Sequence, residues 1–353
     1  MTRTSGEQRA TAAVTQSHVL IVSTMLDLST DAVVRRLTDA GVQCTRWNTE
    51  LFPLTEQLTT RLAGDLEVDP HVRLTRTVVG PTDFDDVTAV WYRRVRIPER
   101  DPGMDGGVYD FCVREARAAL LGTLLGALPR GVRWMSPPTA VWAAEHKLFQ
   151  LAVARRVGLQ IPDTVVTNDA TDMRAVFERF DRKIIGKPVR GGYVEVDGKP
   201  FAIYTSPIDE ADLADLSGAE LSPVILQPLI EKRCDIRVTA VGNRLFVAGI
   251  DSQRDPAARV DWRATEDPHL PHMRLELPDE VASASRALLR ELGLAFGALD
   301  FVLTPGGDYV FLEVNPNGQW LWLDDQLGFD ISGAVASWLA EPGAQSPEVA
   351  HDG

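Results

Sequence analysis

The chain reads as a mixed α/β (α+β) protein. Three observations predict this. An apolar strand, a capped helix and a second strand follow one another at the N-terminus, which demands a parallel sheet with helical crossovers. From Thr164 onward short strands dominate, with Asp197-Gly198 as a strong hairpin signal. No internal repeat is present, and 353 residues exceed one compact core, so two or three sub-domains are expected.

The first strand is His18–Ser23 (HVLIVS). Ser29-Thr30-Asp31 offers an N-cap for a helix that places Val33, Val34, Leu37 and Ala40 on one face and stops at Gly41. Strands Gln43–Asn48 and Ala89–Arg93 follow, then an apolar-rich helix over Tyr109–Leu128 with Val113, Ala116, Leu120, Leu124 and Leu128 near helical spacing. This unit closes near Pro129 and holds neither a GxGxxG nor a Walker loop. A helix from Glu145 to Gly158 directs Leu148, Leu151, Ala152 and Val157 inward. Strands are predicted over Thr164–Thr167, Lys183–Pro188, Val194–Val196, Phe201–Thr205 and Val224–Leu229. The last third runs strand Asp235–Val241, turn Gly242-Asn243, strand Arg244–Ile250, helix Asp279–Leu292 and a final hairpin. The expected division is a tail over 1–17, an N-terminal α/β domain over 18–128, a central sub-domain over 129–226, a C-terminal one over 227–340, and a flexible tail over 341–353.

Composition excludes several classes of function. A formal net charge of −14 argues against broad nucleic-acid binding, so any basic site must be local. Three widely spaced cysteines, Cys44, Cys112 and Cys234, suit neither a disulfide framework nor a zinc knuckle, which favours a reducing cytoplasm. No run approaches the length of a membrane span.

The final hairpin is the most informative segment. Leu299–Thr304 and Tyr309–Asn315 flank Pro305-Gly306-Gly307-Asp308. With Gly306-Gly307 as a two-residue turn, Asp300 lies directly opposite Glu313, and Asn315 projects from the same face. Leu299, Phe301 and Leu303 against Val310, Leu312 and Val314 form the apolar face. Two carboxylates so placed have Cβ atoms roughly 4.5–5.5 Å apart and repel, which calls for neutralisation. A divalent cation is the cheapest candidate, and all-oxygen ligands from Asp, Glu and Asn suit Mg²⁺. The plainer reading is a solvated sheet face.

Positive charge lies in the same half of the chain. Lys187 sits inside a mainly apolar strand, where a lysine is costly unless paired or bound to an anion. Arg190-Gly191-Gly192 follows, a loop whose backbone N–H groups can approach phosphate, although such loops are common. Lys147 lies in the first turn of its helix, where a surface salt bridge is the plainer role. Asp235 and Arg237 alternate along one strand and share a face; an ion pair between them is the plainer reading.

Taken in order, these pieces resemble the ATP-grasp superfamily over roughly residues 145–325: Lys147, Lys187 with its Gly loop, the linker Gln227-Pro228-Leu229-Ile230-Glu231, Asp235-Ile236-Arg237, and Asp300…Glu313-Val314-Asn315. The resemblance implies that Lys147, Lys187, Gly191 and Gly192 contact ATP phosphates and that Gln227, Leu229 and Ile230 hold adenine. It offers Glu231 and Asp235 for the ribose, Arg237 for the reacting phosphates, and Asp300, Glu313 and Asn315 for Mg²⁺. A narrower resemblance spans nearly the whole chain. Val19–Ser23, Arg46-Trp47-Asn48-Thr49, Phe52-Pro53, Trp91-Tyr92-Arg93-Arg94, Asp261-Trp262-Arg263 and the run Leu312 to Trp320 are similar to graspetide synthetases, the microviridin-type maturases. It implies an ATP-grasp fold behind an N-terminal Rossmann-like pre-ATP-grasp domain. The implied partner is a ribosomal precursor peptide, leader plus core, and enzymes of this class are often homodimers. His146 stands before Lys147 where asparagine is commoner, which leaves the lysine in place.

The activity so implied phosphorylates an Asp or Glu side chain with ATP and joins it to Ser, Thr or Lys as an ω-ester or ω-amide. Arg254, Arg259 and Arg263 are candidates for the donor carboxylate or the oxyanion, Arg263 foremost, and Asp261 for general base. Trp320 and Trp322 either wall a peptide groove or pack, and Arg93 and Arg94 are expected to be structural at the domain junction. Two other functions stay open: a ligase for free amino acids or small peptides, and a non-catalytic nucleotide- or peptide-binding protein.

Overall fold

The computed structural model describes residues 17–65, 68–76, 80–196, 199–265 and 270–341. The expected tails, apart from Ser17 and Glu341, and the Asp197-Gly198 turn lie outside them. The N-terminal half begins with β1 (His18–Ser23), α1 (Leu28–Asp39), β2 (Gln43–Asn48), β3 (Glu56–Arg61), β4 (His71–Arg76), β5 (Gly80–Asp83) and β6 (Ala89–Tyr92). Then come α2 (Gly106–Gly126), β7 (Arg133–Met135), α3 (Pro138–Ala144) and α4 (Lys147–Arg156). Strands β2-β1-β6-β7 form a parallel sheet whose last strand reaches past the expected boundary at 128. Every residue of β1 is buried, as a strand covered on both faces requires. One face meets α1 through Val33 and Leu37; Val34 is half-buried and Ala40 points outward. The N-cap of α1 is Asp27 rather than the Ser29–Asp31 cluster: its carboxylate accepts from Thr30 N–H at 3.3 Å. A separate antiparallel sheet, β3-β4-β5, was not legible in the sequence pattern.

The central region comprises β8 (Val165–Thr167), α5 (Ala170–Arg179), β9 (Ile184–Pro188), β10 (Tyr193–Val196), β11 (Lys199–Ala202), β12 (Ser206–Ile208) and β13 (Val224–Pro228). Strands β12-β9-β13-β8 form an antiparallel sheet backed by α5, while β10 and β11 pair as a hairpin. Of the strand expected over Phe201–Thr205 only Phe201 and Ala202 are extended, at the end of β11; residues 203–205 form the connection to β12.

The C-terminal region contains β14 (Cys234–Val241), β15 (Arg244–Ile250), β16 (His272–Arg274), α6 (Asp279–Glu291), β17 (Phe296–Leu303), β18 (Tyr309–Asn315), α7 (Leu321–Leu327) and α8 (Ile331–Ala340). The sheet runs β16-β15-β14-β17-β18, with β14 buried throughout. α8 packs back on the N-terminal sheet, so Ile331, Val335 and Leu339 share one core with Val19, Ile21 and Trp91.

Two features differ from expectation around the last hairpin. The turn is a three-residue loop closed by Thr304 N–H donating to Asp308 C=O at 2.9 Å, with Gly307 at φ +95°, so β17 and β18 leave it one residue out of the expected register. A β-bulge at Leu312 then restores the register, and Asp300 does stand opposite Glu313. Between turn and bulge the faces are exchanged: Phe311, not Val310 or Leu312, faces Phe301 in the core, ring centroids 5.5 Å apart.

α4 lies against β18, with Leu151, Val153 and Ala154 buried. Leu148 and Ala152, expected inward, are exposed, because the helix begins at Lys147 and Gln150 occupies its inner face. The Gln150 carboxamide bonds both the N–H (2.9 Å) and the C=O (2.8 Å) of Val314.

Candidate active site

The site is a cleft between the β9–β13 sheet and the β14–β17–β18 sheet. β9 brings Lys187, the end of β13 brings Gln227, and the connector to β14 brings Leu229 and Ile230. β14 supplies Asp235, the loop after β15 supplies Asp261 and Arg263, and the last hairpin supplies Asp300 and Glu313. Lys147 reaches the same cleft from the first turn of α4. An adjoining cavity shares Lys147, Lys187, Arg263 and Glu313 and adds Gly191, Gly192 and Asn315.

Protein cations lie against both facing carboxylates. Lys147 Nζ lies 3.0 Å from Glu313 Oε2, Arg263 Nη1 3.7 Å from Glu313 Oε1, and Arg237 Nη1 3.3 Å from Asp300 Oδ2. Burial and the nearby Glu313 charge push the Asp300 carboxyl up to about 6, against the pull of Arg237. Burial would also raise Glu313, but Lys147, Lys187 and Arg263 outweigh it and hold that carboxyl below its ordinary value. Burial pushes Lys187 down to about 8, with Glu313 opposing and Lys147 and Arg263 adding to the fall.

Asp235 and Arg237 do not pair with each other. Asp235 is held by Lys232 Nζ at 2.8 Å, and Arg237 turns to Asp300 and over the Trp262 ring, 5.7 Å from its centroid. Burial raises the Asp235 carboxyl even against Lys232. Asp261 accepts from Arg263 N–H (3.1 Å), Nε (2.9 Å) and Nη2 (2.8 Å), and from Thr205 N–H at 3.3 Å. Its burial is outweighed by those bonds, so its carboxyl is lowered and the Arg263 guanidinium raised. A carboxylate so held is a weak base; its geometry is that of an anchor for Arg263.

Among the other predicted residues, Glu231 is exposed and outside the lining, whereas its neighbour Lys232 lines the cleft. Arg259 lines the cleft and Arg254 does not. Gly192 is required by close packing: a Cβ there would collide with the carbonyl of Ile203, whose N–H donates to Gly192 C=O at 2.6 Å. Trp320 is a packing residue, fully buried against Trp91 and Phe296, and Trp322 packs at a tilt against Trp262 and His272. Arg93 is fully buried in an ion pair with Asp27 and donates to Gly318 C=O and Gln319 Oε1.

Sequence reasoning missed Lys232 and Trp262 as partners within the site. Their signal was adjacency: Lys232 lies three residues before Asp235, and Trp262 sits between Asp261 and Arg263.

Among the described residues no group of three or more His, Cys, Asp and Glu could by itself hold a metal ion. Two carboxylates and the Asn315 carboxamide nevertheless form an all-oxygen set of the kind that Mg²⁺ shares with water and phosphate. Asn315 Oδ1 accepts from Asn317 N–H at 2.9 Å and keeps a second lone pair.

No helix among the described residues is long and apolar enough to cross a membrane. Residues 18–141 match the MvdD pre-ATP grasp domain. No match is found among the curated proteins. Among solved structures, the chain is similar to a RiPP-associated ATP-grasp ligase of Chryseobacterium gregarium in complex with ADP and a leader and core peptide. The two are 26% identical with a TM-score of 0.85 over 94% of this chain and 99% of that one. It is 30% identical to the macrocyclase MdnC of Microcystis aeruginosa MRC bound with the precursor peptide MdnA, with a TM-score of 0.81 over 91% of this chain and 98% of that one. The macrocyclase MdnB from the same source is also 30% identical, with a TM-score of 0.74 over 92% and 99%. A pre-ATP-grasp domain ahead of the lysine- and carboxylate-lined cleft, and end-to-end likeness to MdnB and MdnC, place this chain in the graspetide synthetase family of ATP-grasp ligases.

Proposed function

We propose that the chain is an ATP-dependent, ADP-forming peptide maturase. It phosphorylates Asp or Glu side chains of a ribosomal precursor peptide and closes ω-ester or ω-amide links to Ser, Thr or Lys. The observation that carries this reading is the convergence of Lys147, Lys187 and Arg263 on the Asp300–Glu313 pair in one cleft, with Arg237, itself outside the cleft lining, paired to Asp300.

A carboxylate is a poor acyl donor because oxide would have to leave, and phosphorylation supplies a better leaving group. Phosphoryl transfer needs mainly positioning and charge neutralisation. Lys147 and Lys187 bind the phosphates, and the backbone of the Gly191-Gly192 loop lies beside them. Gln227, Leu229 and Ile230 wall the adenine, with Gln227 fixed by its bond to Thr164 Oγ1 at 2.8 Å. Asp235 is the residue nearest in kind to a ribose acceptor, and Arg237 neutralises charge on the reacting phosphates. Asp261 aims Arg263 at the donor carboxylate and its oxyanion. When held by Asp300, Glu313 and Asn315, Mg²⁺ supplies neutralisation of the phosphate oxygens. The cysteine pattern and the charge suit a cytoplasmic enzyme.

The test is incubation with Mg-ATP and the peptide encoded beside the gene. Loss of water from the peptide with release of ADP and phosphate supports the reading. Joining of free amino acids, or nucleotide binding without any product, refutes it. Arg263→Ala should abolish product while the protein stays folded; full activity removes the role given to Arg263.

A further inference from the structure

We propose that Gln150 is the positioning residue of this site, fixing α4 and its Lys147 against the Glu313–Asn315 segment; this rests on the nucleotide-binding reading above. Gln150 is 3% exposed and all of its carboxamide is engaged. Oε1 accepts from Val314 N–H at 2.9 Å, while Nε2 donates to Val314 C=O at 2.8 Å and to Ala144 C=O. Val314 lies between Glu313 and Asn315 on β18, the edge strand of its sheet. Its N–H and C=O would otherwise be unpaired, and the side chain of Gln150 stands in for one residue of a missing neighbour strand.

Lys147 lies three residues earlier on α4, on the same helix face, with Nζ 3.0 Å from Glu313 Oε2. A lysine in the first helical turn is disfavoured by the helix dipole, so its position must be held from outside the helix. Two bonds to one backbone residue fix distance and rotation together, and the third ties in the end of α3. The lysine and both flanking oxygen ligands are thus registered by one carboxamide.

The experiment compares Gln150→Met with Leu151→Ala, a core substitution on the same helix, in binding of Mg-ATP by calorimetry and in Tm. Loss of the two-point clamp is expected to weaken nucleotide binding about tenfold in Q150M. L151A, at a similar loss of Tm, should stay within about twofold of the wild type. The double variant K147M/Q150M should bind no more weakly than K147M, because one residue acts through the other. Binding by Q150M equal to wild type, equal weakening by L151A, or additive effects with K147M overturns the proposal. If Q150M does not fold, Gln150→Glu replaces it, since a neutral carboxyl can again accept and donate. Its affinity relative to wild type should recover as pH falls, and a ratio independent of pH overturns the proposal. Failure of the wild type to bind Mg-ATP removes the proposed function and this inference with it; wild-type binding retained in Q150M removes only this inference.

Discussion

Replacing Arg93 with Met probes how the N-terminal sheet is joined to the segment that follows the metal-ligand candidates. Arg93 and Asp27 are both fully buried and lie 3.2 Å apart. The guanidinium also donates to Gly318 C=O at 3.0 Å and Gln319 Oε1 at 3.1 Å, and sits 4.8 Å from the Trp320 ring centroid. Burial lowers it to about 10, so it stays charged at neutral pH. Asp27 is pulled below its ordinary value: burial opposes this, but Arg93, Thr30 N–H, Arg94 and Ser23 prevail. R93M strands that carboxylate in the core, and removing one partner of a buried pair costs about 3–5 kcal/mol. D27N strands the guanidinium at similar cost. The double variant D27N/R93M should lose less than the sum by about 2 kcal/mol or more. Because the Asp27 carboxyl is depressed, its stabilisation is present above the unfolded value of 3.8 and is lost as pH falls through the folded one. Urea unfolding of the four proteins at neutral pH measures the cycle. Single losses under about 1 kcal/mol, or strict additivity, would refute the account of Arg93 as the buried junction.

Lys187, lowered to about 8, is an ammonium below that pH and an amine above it. Bound triphosphate favours the ammonium, so nucleotide binding near pH 8 should take up a proton and weaken at higher pH. Calorimetry in buffers of different ionisation enthalpy reads both effects, and Lys187→Met should abolish the uptake. In stability the sign is reversed: between about 8 and 10.5 the unfolded chain binds more protons at this site, so stability gains with rising pH there. Gly192→Ala should displace the loop from Ile203 and lower nucleotide affinity about tenfold or more, with smaller change in Tm; unaltered binding would contradict the role given to that loop. Glu313→Gln removes the partner of Lys147 and a metal-ligand candidate, and product formation should fall about 100-fold or more in a mass-spectrometric assay.

Parts of the site were legible because their spacing is local. The alternation that sets Asp300, Glu313 and Asn315 on one side needs only the pleat of a strand, and Lys187 was conspicuous as a charge within an apolar run. The facing of Asp300 and Glu313 was reached through a turn that the protein does not use. The three-residue loop displaces the register, and the bulge at Leu312 cancels the displacement. Two compensating irregularities leave no trace in hydrophobic pattern, except that Phe311 interrupts the expected alternation. The β3-β4-β5 sheet was hidden for a different reason: β3 and β5 carry almost no apolar residues, and only β4 alternates, with Val72 and Leu74 buried and Arg73 and Thr75 exposed, a signal too short to stand out.

The sequence by itself determined the parallel opening, the carboxylate hairpin and the basic residues that stand with it in the same half of the chain. These follow from backbone periodicity and from the cost of burying charge, which act over a few residues. Partnership was decided only by the tertiary structure. Asp235 found Lys232 instead of Arg237, Arg237 found Asp300, and Gln150 found the edge of β18. Charge pairing depends on where side chains meet in space, and in this protein many of those meetings join segments more than sixty residues apart.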